Sequence, residues 1–259
     1  DANDALAIVE AGLRPDMRFV PLKSIEQQDI QSLHRIRERY IHQRTQLINQ
    51  VHGLLQEYGV ISGRGQKALK QRVWLALEDA DNELSMLMRD LIAEQMAELD
   101  RLNERIQSLD KRVEQMSRAV MPCRQLLAIE GVGPVVATQL YSALGNGDAF
   151  KKGRQASAYL GLTPTQHSSG GIAKIKGIGR TGQISLKAAL IRGAHSVINT
   201  VGDKQDAKSC WLRALVARVG KNKAAVALAN KTVRTAWAVL HRGQSYSREF
   251  NEGSALMVS

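Results

Sequence analysis

The stretch SIEQQDIQSLHRIRERYIHQRTQLINQVHGLLQEYG, residues 24–59, decides the fold class. Its apolar residues Ile30, Leu33, Ile36, Ile41, Leu47, Ile48, Val51 and Leu55 recur at helical spacing. That pattern belongs to a long helix with one buried face. Ser24 with Gln27 fits a capping box at its start, and Gly59 fits a stop at its end. Downstream, ISGRGQKA (61–68) reads as a loop before a second long helix. There Leu99, Leu102, Ile106, Leu109, Val113 and Met116 alternate steps of three and four, continued upstream by Ile92 and Met88. This is a heptad seam. It can close on residues 26–58 as a hairpin or on a second chain as a coiled coil, and self-association is the expectation.

Upstream, DANDALAIVEAG (1–12) reads as a short helix and MRFVPLKS (17–24) as a strand or extended segment. After Pro122 come short helices joined by glycine-rich turns: 126–145, 149–162, 184–198, 209–220 and 221–243, with a frayed tail over 246–259. The expected class is mainly α.

Charge narrows the function. The 259 residues carry a net +11, and residues 151–242 hold ten lysines and seven arginines against Asp203 and Asp206 alone. A field so one-sided attracts a polyanion, most directly nucleic acid. Membrane insertion is not indicated, because no apolar run approaches the ~20 residues a span needs. Cys123 and Cys210 form neither a metal pattern nor a disulfide framework, which suits reduced, buried thiols in a cytosolic protein.

Three constellations can carry chemistry. LLAIEGVGPVVATQLYSALG (126–145) resembles a helix-hairpin-helix. Gly131 and Gly133 would let backbone approach closely, and Pro134 opens the second helix, whose free N–H groups suit a phosphate. TPTQHSSGGIAKIKG (163–177) reads as a flexible cationic loop in which a serine hydroxyl could meet phosphorus, with Lys174, Lys176 and Arg180 close by. On chemistry alone a plain linker with ordinary loop serines stays open, and His167 reads as a solvent-facing histidine. Asp1 and Asp4 share a helical face and could bind one divalent ion, or merely complement the helix dipole. Lys221, Lys223, Lys231 and Arg234 ring an alanine-rich helix that packs on one side and offers cations on the other, while Trp211 and Trp237 read as core.

Asp-x-x-Asp in DANDALAI, then residues 18–59, AIEGVGPVVATQL, AYLGLTPTQHSSGG and KNKAAVALANKTVRTAWAVL occur in an order that resembles the DEDD-type insertion-sequence transposases, the IS-one-ten family, relatives of the Piv invertases. The resemblance reaches to about residue 245. It implies a recombinase with a RuvC-like α/β domain holding Mg²⁺ on four acids, a helical arm, and a C-terminal domain with a serine nucleophile. It also implies a structured bridge RNA as guide, and a homo-oligomer pairing donor and target DNA in the bacterial cytoplasm at the nucleoid. Carried over, Asp1 and Asp4 match the last two acids, and Ser169 matches the nucleophile with Ser168 as fallback.

On this reading residues 1–25 are a remnant of the RuvC-like domain and 26–120 a helical, coiled-coil arm. Residues 121–245 are an all-α transposase domain with the helix-hairpin-helix and serine loop. With two of four acids the metal site is incomplete, so the chain alone is expected to be inactive. Gly179-Arg180-Thr181-Gly182 departs slightly from the family's Lys-Arg-Gly run. Two rivals are a non-catalytic DNA- or RNA-binding module and a Holliday-junction-type metal nuclease.

Overall fold

The computed structural model describes residues 2–15, 17, 22–63, 65–169, 172–179, 181–243 and 246, with only the backbone described for 167–169 and 172–176. The mainly α expectation holds. In chain order the elements are α1 (Ala2–Leu13), α2 (Ile25–Glu57), α3 (Gln66–Glu78), α4 (Met86–Ala119), α5 (Met121–Leu126), α6 (Pro134–Leu144), α7 (Gly153–Tyr159), β1 (Pro164–Ser169), β2 (Ile172–Ile178), α8 (Ile184–Thr200), α9 (Ala207–Val219) and α10 (Lys221–Arg242). Of the strand expected over 17–24, residues 18–21 lie outside the described residues, and 17 and 22–24 are not in a strand.

α2 starts on the predicted capping box. The Ser24 hydroxyl accepts from the Gln27 amide at 3.2 Å, and the Gln27 side chain accepts from the Ser24 amide at 2.9 Å. One correction concerns the segment after it. The expected loop over 61–68 is already helical from Gln66, and the continuous second helix is split into α3 and α4. Asp79–Ser85 make the break, and its carbonyls are gathered by Arg89, with Asn82 also donating to Ala76. Arg89 donates to the carbonyls of Ala76, Leu77, Asp79 and Leu84, while Ser85 caps α4. A helix end closed by side chains in this way leaves few orphan acceptors.

The heptad seam is used inside the chain. Ile92, Leu99, Leu102, Ile106, Leu109 and Val113 are all buried, and α4 packs on α2. Leu47, Val51, Leu55, Leu69, Val73 and Met96 complete this arm core. The expectation that the seam joins two subunits is therefore corrected in favour of the hairpin alternative. Arg37 with Asp110, and Lys70 with Asp100, pair across the arm.

A second core lies C-terminal. α8 and α10 pack together, and α10 also packs on α5, α6, α7 and α9. Leu126, Leu140, Leu160, Leu186, Leu190 and Val233 are among its buried side chains. Tyr246, within the tail expected to fray, packs against this core; the rest of that tail lies outside the described residues. α2 reaches this body through its N-terminal half. Gln27 Nε2 donates to the Tyr141 carbonyl, Ser142 Oγ donates to the Gln27 carbonyl, and Tyr141 donates to Glu26. Burial first, then the Glu26 carboxylate, push the Tyr141 hydroxyl up to about 12. α1, by contrast, buries none of its residues among the described ones.

His34 sits in the α2–α6 junction, 4% exposed, with Nε2 2.8 Å from Thr138 Oγ1 and Nδ1 without a partner among the described residues. Burial, then the Arg37 guanidinium, hold its imidazole down at about 4, against the pull of Asp110. The folded state keeps His34 neutral while the unfolded chain protonates near 6.5. Its contribution is therefore complete above pH 6.5 and lost as pH falls towards 4. We expect about 3 kcal/mol of acid destabilisation across that window. Thermal melts of His34→Gln, which keeps a donor for Thr138, should show a visibly flatter pH dependence between 6.5 and 4 than the parent.

Candidate nucleic-acid interface

The serine stretch is ordered differently from the expected loop. β1 and β2 form an antiparallel hairpin in which Pro164 faces Ile178, His167 faces Lys174, Ser168 faces Ala173 and Ser169 faces Ile172. Only Gly170 and Gly171 separate the strands, and the pair lies outside the described residues. A two-residue Gly-Gly connection between strands is a strong hairpin signal. The C-terminal region is thus helical with one small sheet, not all-α. Ser169 ends β1 and Ser168 precedes it, while Lys174 and Lys176 fall on β2. Arg180 lies outside the described residues.

The hairpin root is locked by backbone proximity and one buried cation. Gly161 and Gly182 have φ of +74° and +83°, and a Cβ on Gly182 would meet the Leu160 carbonyl at 2.7 Å. Lys187, on α8 and 7% exposed, donates to the carbonyls of Gly179 at 2.6 Å and Thr181 at 3.0 Å. Asn230 of α10 donates to the Leu162 carbonyl at 3.1 Å. Lys187 was not singled out in the sequence, where it is one cation among seventeen and its burial has no local mark.

The turn from α5 to α6 divides the roles of its two glycines. Gly131, φ +83°, lies against α8: a Cβ there would meet Val197 Cγ2 at 2.9 Å, and one on Gly193 would meet the Gly131 carbonyl at 2.2 Å. The close approach expected to serve a phosphate serves helix packing. Gly133 has no neighbour within 4 Å of an added Cβ and is the N-cap of α6 with no side-chain cap. Glu130, in the same turn, accepts from Lys208 at 2.8 Å.

On α10, Lys221 and Lys223 are exposed, and Lys221 donates to Asn199. Lys231 is half-buried with its ammonium 4.8 Å from the centre of the Trp211 ring. Burial, then the charges of Lys208 and Arg234, lower its pKa. Arg234 lies against Gly153. Trp237 is part of the core as expected, donating to the Gly147 carbonyl and stacking on His241. Trp211 is not: it is 37% exposed. Cys123 is buried, which pushes its thiol up to about 12, whereas Cys210, also expected inside, is exposed.

Asp4 is exposed in the first turn of α1, and Asp1 lies outside the described residues. Among the described residues no group of three or more His, Cys, Asp or Glu could hold a metal ion. With Asp1 outside them, the described residues by themselves make up no Mg²⁺ site. No described helix is long and apolar enough to cross a membrane.

Residues 123–209 match the family model described as the IS116/IS110/IS902 transposase family, and residues 1–60 match a DEDD transposase model of the IS110 type. A family 20 transposase of Pseudomonas aeruginosa is 42% identical over 95% of this chain and 73% of its own length. The transposase of insertion sequence element IS1111A from Coxiella burnetii is 41% identical over 95% of this chain and 68% of its own. The transposase of element IS1328 from Yersinia enterocolitica is 31% identical over 96% and 73%.

Two substitutions separate packing from approach. Gly131→Ala and Gly193→Ala should each lower the melting temperature, because a new Cβ meets backbone or a branched side chain, whereas Gly133→Ala should leave it nearly unchanged. Lys187→Met should cost about 2 kcal/mol by removing a charged donor from two carbonyls at the hairpin root. Hydrogen exchange should then quicken across β1–β2 and stay unchanged in α2 and α4.

Proposed function

Because the chain belongs to the IS110 family of insertion-sequence transposases, we propose that it cuts and rejoins DNA through the Ser169 hydroxyl. Serine Oγ forms an ester to the scissile phosphorus as a DNA oxygen leaves, and the serine proton passes by way of solvent to that oxygen, leaving a DNA hydroxyl. A DNA hydroxyl later attacks the same phosphorus and releases the serine. One phosphoester replaces another at each step, so rejoining needs no external energy source. The observation that carries the reading is that the two-serine stretch ends a strand of a hairpin rooted in the basic C-terminal body.

The cations have separate parts in this reading. Lys174, Lys176 and Arg180 neutralise charge at the phosphate, while Lys221, Lys223, Lys231 and Arg234 hold the strand. Gly133 and the start of α6 meet backbone phosphate in the manner of a helix-hairpin-helix, with Gly131 supporting the turn. Residues 1–25 stand as part of a RuvC-like domain, 26–120 as the arm and 121–245 as the DNA-binding body. Asp1 and Asp4 are two acids of the DEDD set. A complete DEDD set would hold Mg²⁺ and stabilise charge at the phosphate. The reading extends to a bridge RNA as guide, and to a nucleoid-bound homo-oligomer pairing donor and target DNA. The oligomer must use a surface other than the α4 seam.

The test is covalent trapping on a nicked donor-end substrate, with the rest of the DEDD acid set supplied in the same polypeptide. Ser169→Ala should abolish the protein–DNA adduct on denaturing gels while DNA binding persists, and Ser168→Ala should keep the adduct. An adduct that survives Ser169→Ala and disappears with Ser168→Ala moves the nucleophile by one residue. Cleavage that survives both substitutions removes serine from the chemistry.

A further inference from the structure

The surface formed by α9 and α10 carries an exposed indole among cations. Lys208, Trp211 and Arg218 follow one another along α9 at spacings of three and seven, which is one helical stripe. Lys223, Lys231 and Arg234 form the matching stripe of α10, and the two helices pack together. Trp211 keeps 37% of its surface in solvent, while Leu212 and Leu215 of the same helix are buried. The nearby acids are engaged: Glu130 pairs with Lys208, and Asp206 caps α9 by accepting from the Ser209 amide and hydroxyl.

A solvated indole in a mainly cationic surface is not a solubility feature, and the lysine held over it does not bury it. The Lys231 ammonium 4.8 Å from the ring centre fixes the ring and adds positive charge beside it. Its lowered pKa reflects partial burial and the neighbouring cations Lys208 and Arg234, a concentration of charge that an anion would relieve. An aromatic face flanked by cations at helical spacing is the chemistry that takes a base on the ring and its phosphates on either side. Duplex DNA offers only the second half of that contact, because its bases are stacked on one another.

We propose that Trp211, flanked by Lys208, Lys231 and Arg234, is a stacking site for an unpaired nucleobase in a nucleic-acid strand, separate from the serine hairpin. The site rests on the reading of the basic body as a nucleic-acid surface, and it adds the form of strand: one with a base out of the helix. Such a strand can be DNA opened during strand exchange or an unpaired segment of RNA, since both present the same base and phosphate chemistry.

The experiment measures binding of the whole chain to a fluorescein-labelled oligo-dT 12-mer, its oligo-rU counterpart and a duplex of equal length, by fluorescence anisotropy. Trp211→Ala should weaken binding of a single strand about tenfold, in the range of one lost base–aromatic stack, with duplex affinity unchanged. Trp211→Phe should keep most of the affinity, and single-strand binding should quench tryptophan emission less in Trp211→Phe than in the parent. Lys231→Ala and Arg234→Ala should weaken all three ligands and reduce the salt slope by about one each. A loss with DNA alone, with RNA alone or with both supports the site and names its source. Equal single-strand affinity in Trp211→Ala, or a parallel loss with duplex, overturns it while leaving the basic surface standing. A Trp211→Ala chain whose sedimentation coefficient differs from the parent marks the ring as a protein contact and also overturns it. A parent chain that binds none of the three ligands overturns the nucleic-acid reading of this surface as well.

Discussion

The structure depends on one shared beam. α2 is 33 residues long, about 50 Å at 1.5 Å per residue, and it joins the arm core to the C-terminal body. Its C-terminal half gives Leu47, Val51 and Leu55 to the arm, while its N-terminal half places His34 and Gln27 against α6. A helix continuous through both cannot hinge freely between them, because bending it breaks the ladder of backbone hydrogen bonds. The neutral, buried His34 and the carbonyl contacts at Tyr141 then fix the angle at which the arm leaves the body.

That rigidity gives the basic body its geometry. Packing determines which glycines and cations remain available to a ligand. Gly131 is taken up by α8 and Lys187 by the hairpin root, whereas Gly133, Lys223 and the Trp211 ring stay in solvent. The hairpin replaces what reads as a loose linker. Its two strands satisfy each other's backbone groups, and its root is closed by Gly161, Gly182 and the Lys187 ammonium. A serine at the end of such a strand is held in a defined place relative to α10, which a flexible loop would not provide.

Much of this was legible locally. Capping at Ser24 and Gln27, the helical periodicity of α2, and the starts of α6, α8 and α10 all follow from side chains acting on their own backbone or on the next turn. Charge asymmetry pointed to a polyanion because net charge is a sum over residues and needs no coordinates. Less was legible at the α3–α4 break, where Arg89 gathers carbonyls of α3 from twelve and thirteen residues earlier. The hairpin also escaped notice, since QHSSGGIAKIKG lacks strong β-formers on one side of its glycines. Trp211 was misread because its helix, α9, packs on a face made by Ser209, Leu212, Leu215, Val216 and Val219, which leaves the ring outside.

The amino-acid sequence by itself determined the helical class, the cationic character of the C-terminal half and the family. Each of these depends on short-range spacing, on summed charge, or on the order of separated blocks. The tertiary structure alone decided that the heptad seam closes within one chain, that Gly131 serves packing, that Lys187 locks the hairpin and that Trp211 faces solvent. A periodic apolar face states that it must be covered and leaves its cover unnamed. A glycine states that a Cβ is unwelcome without saying which backbone or ligand comes near. Those answers come only when distant segments compete for the same surface and the best-packed arrangement excludes the rest.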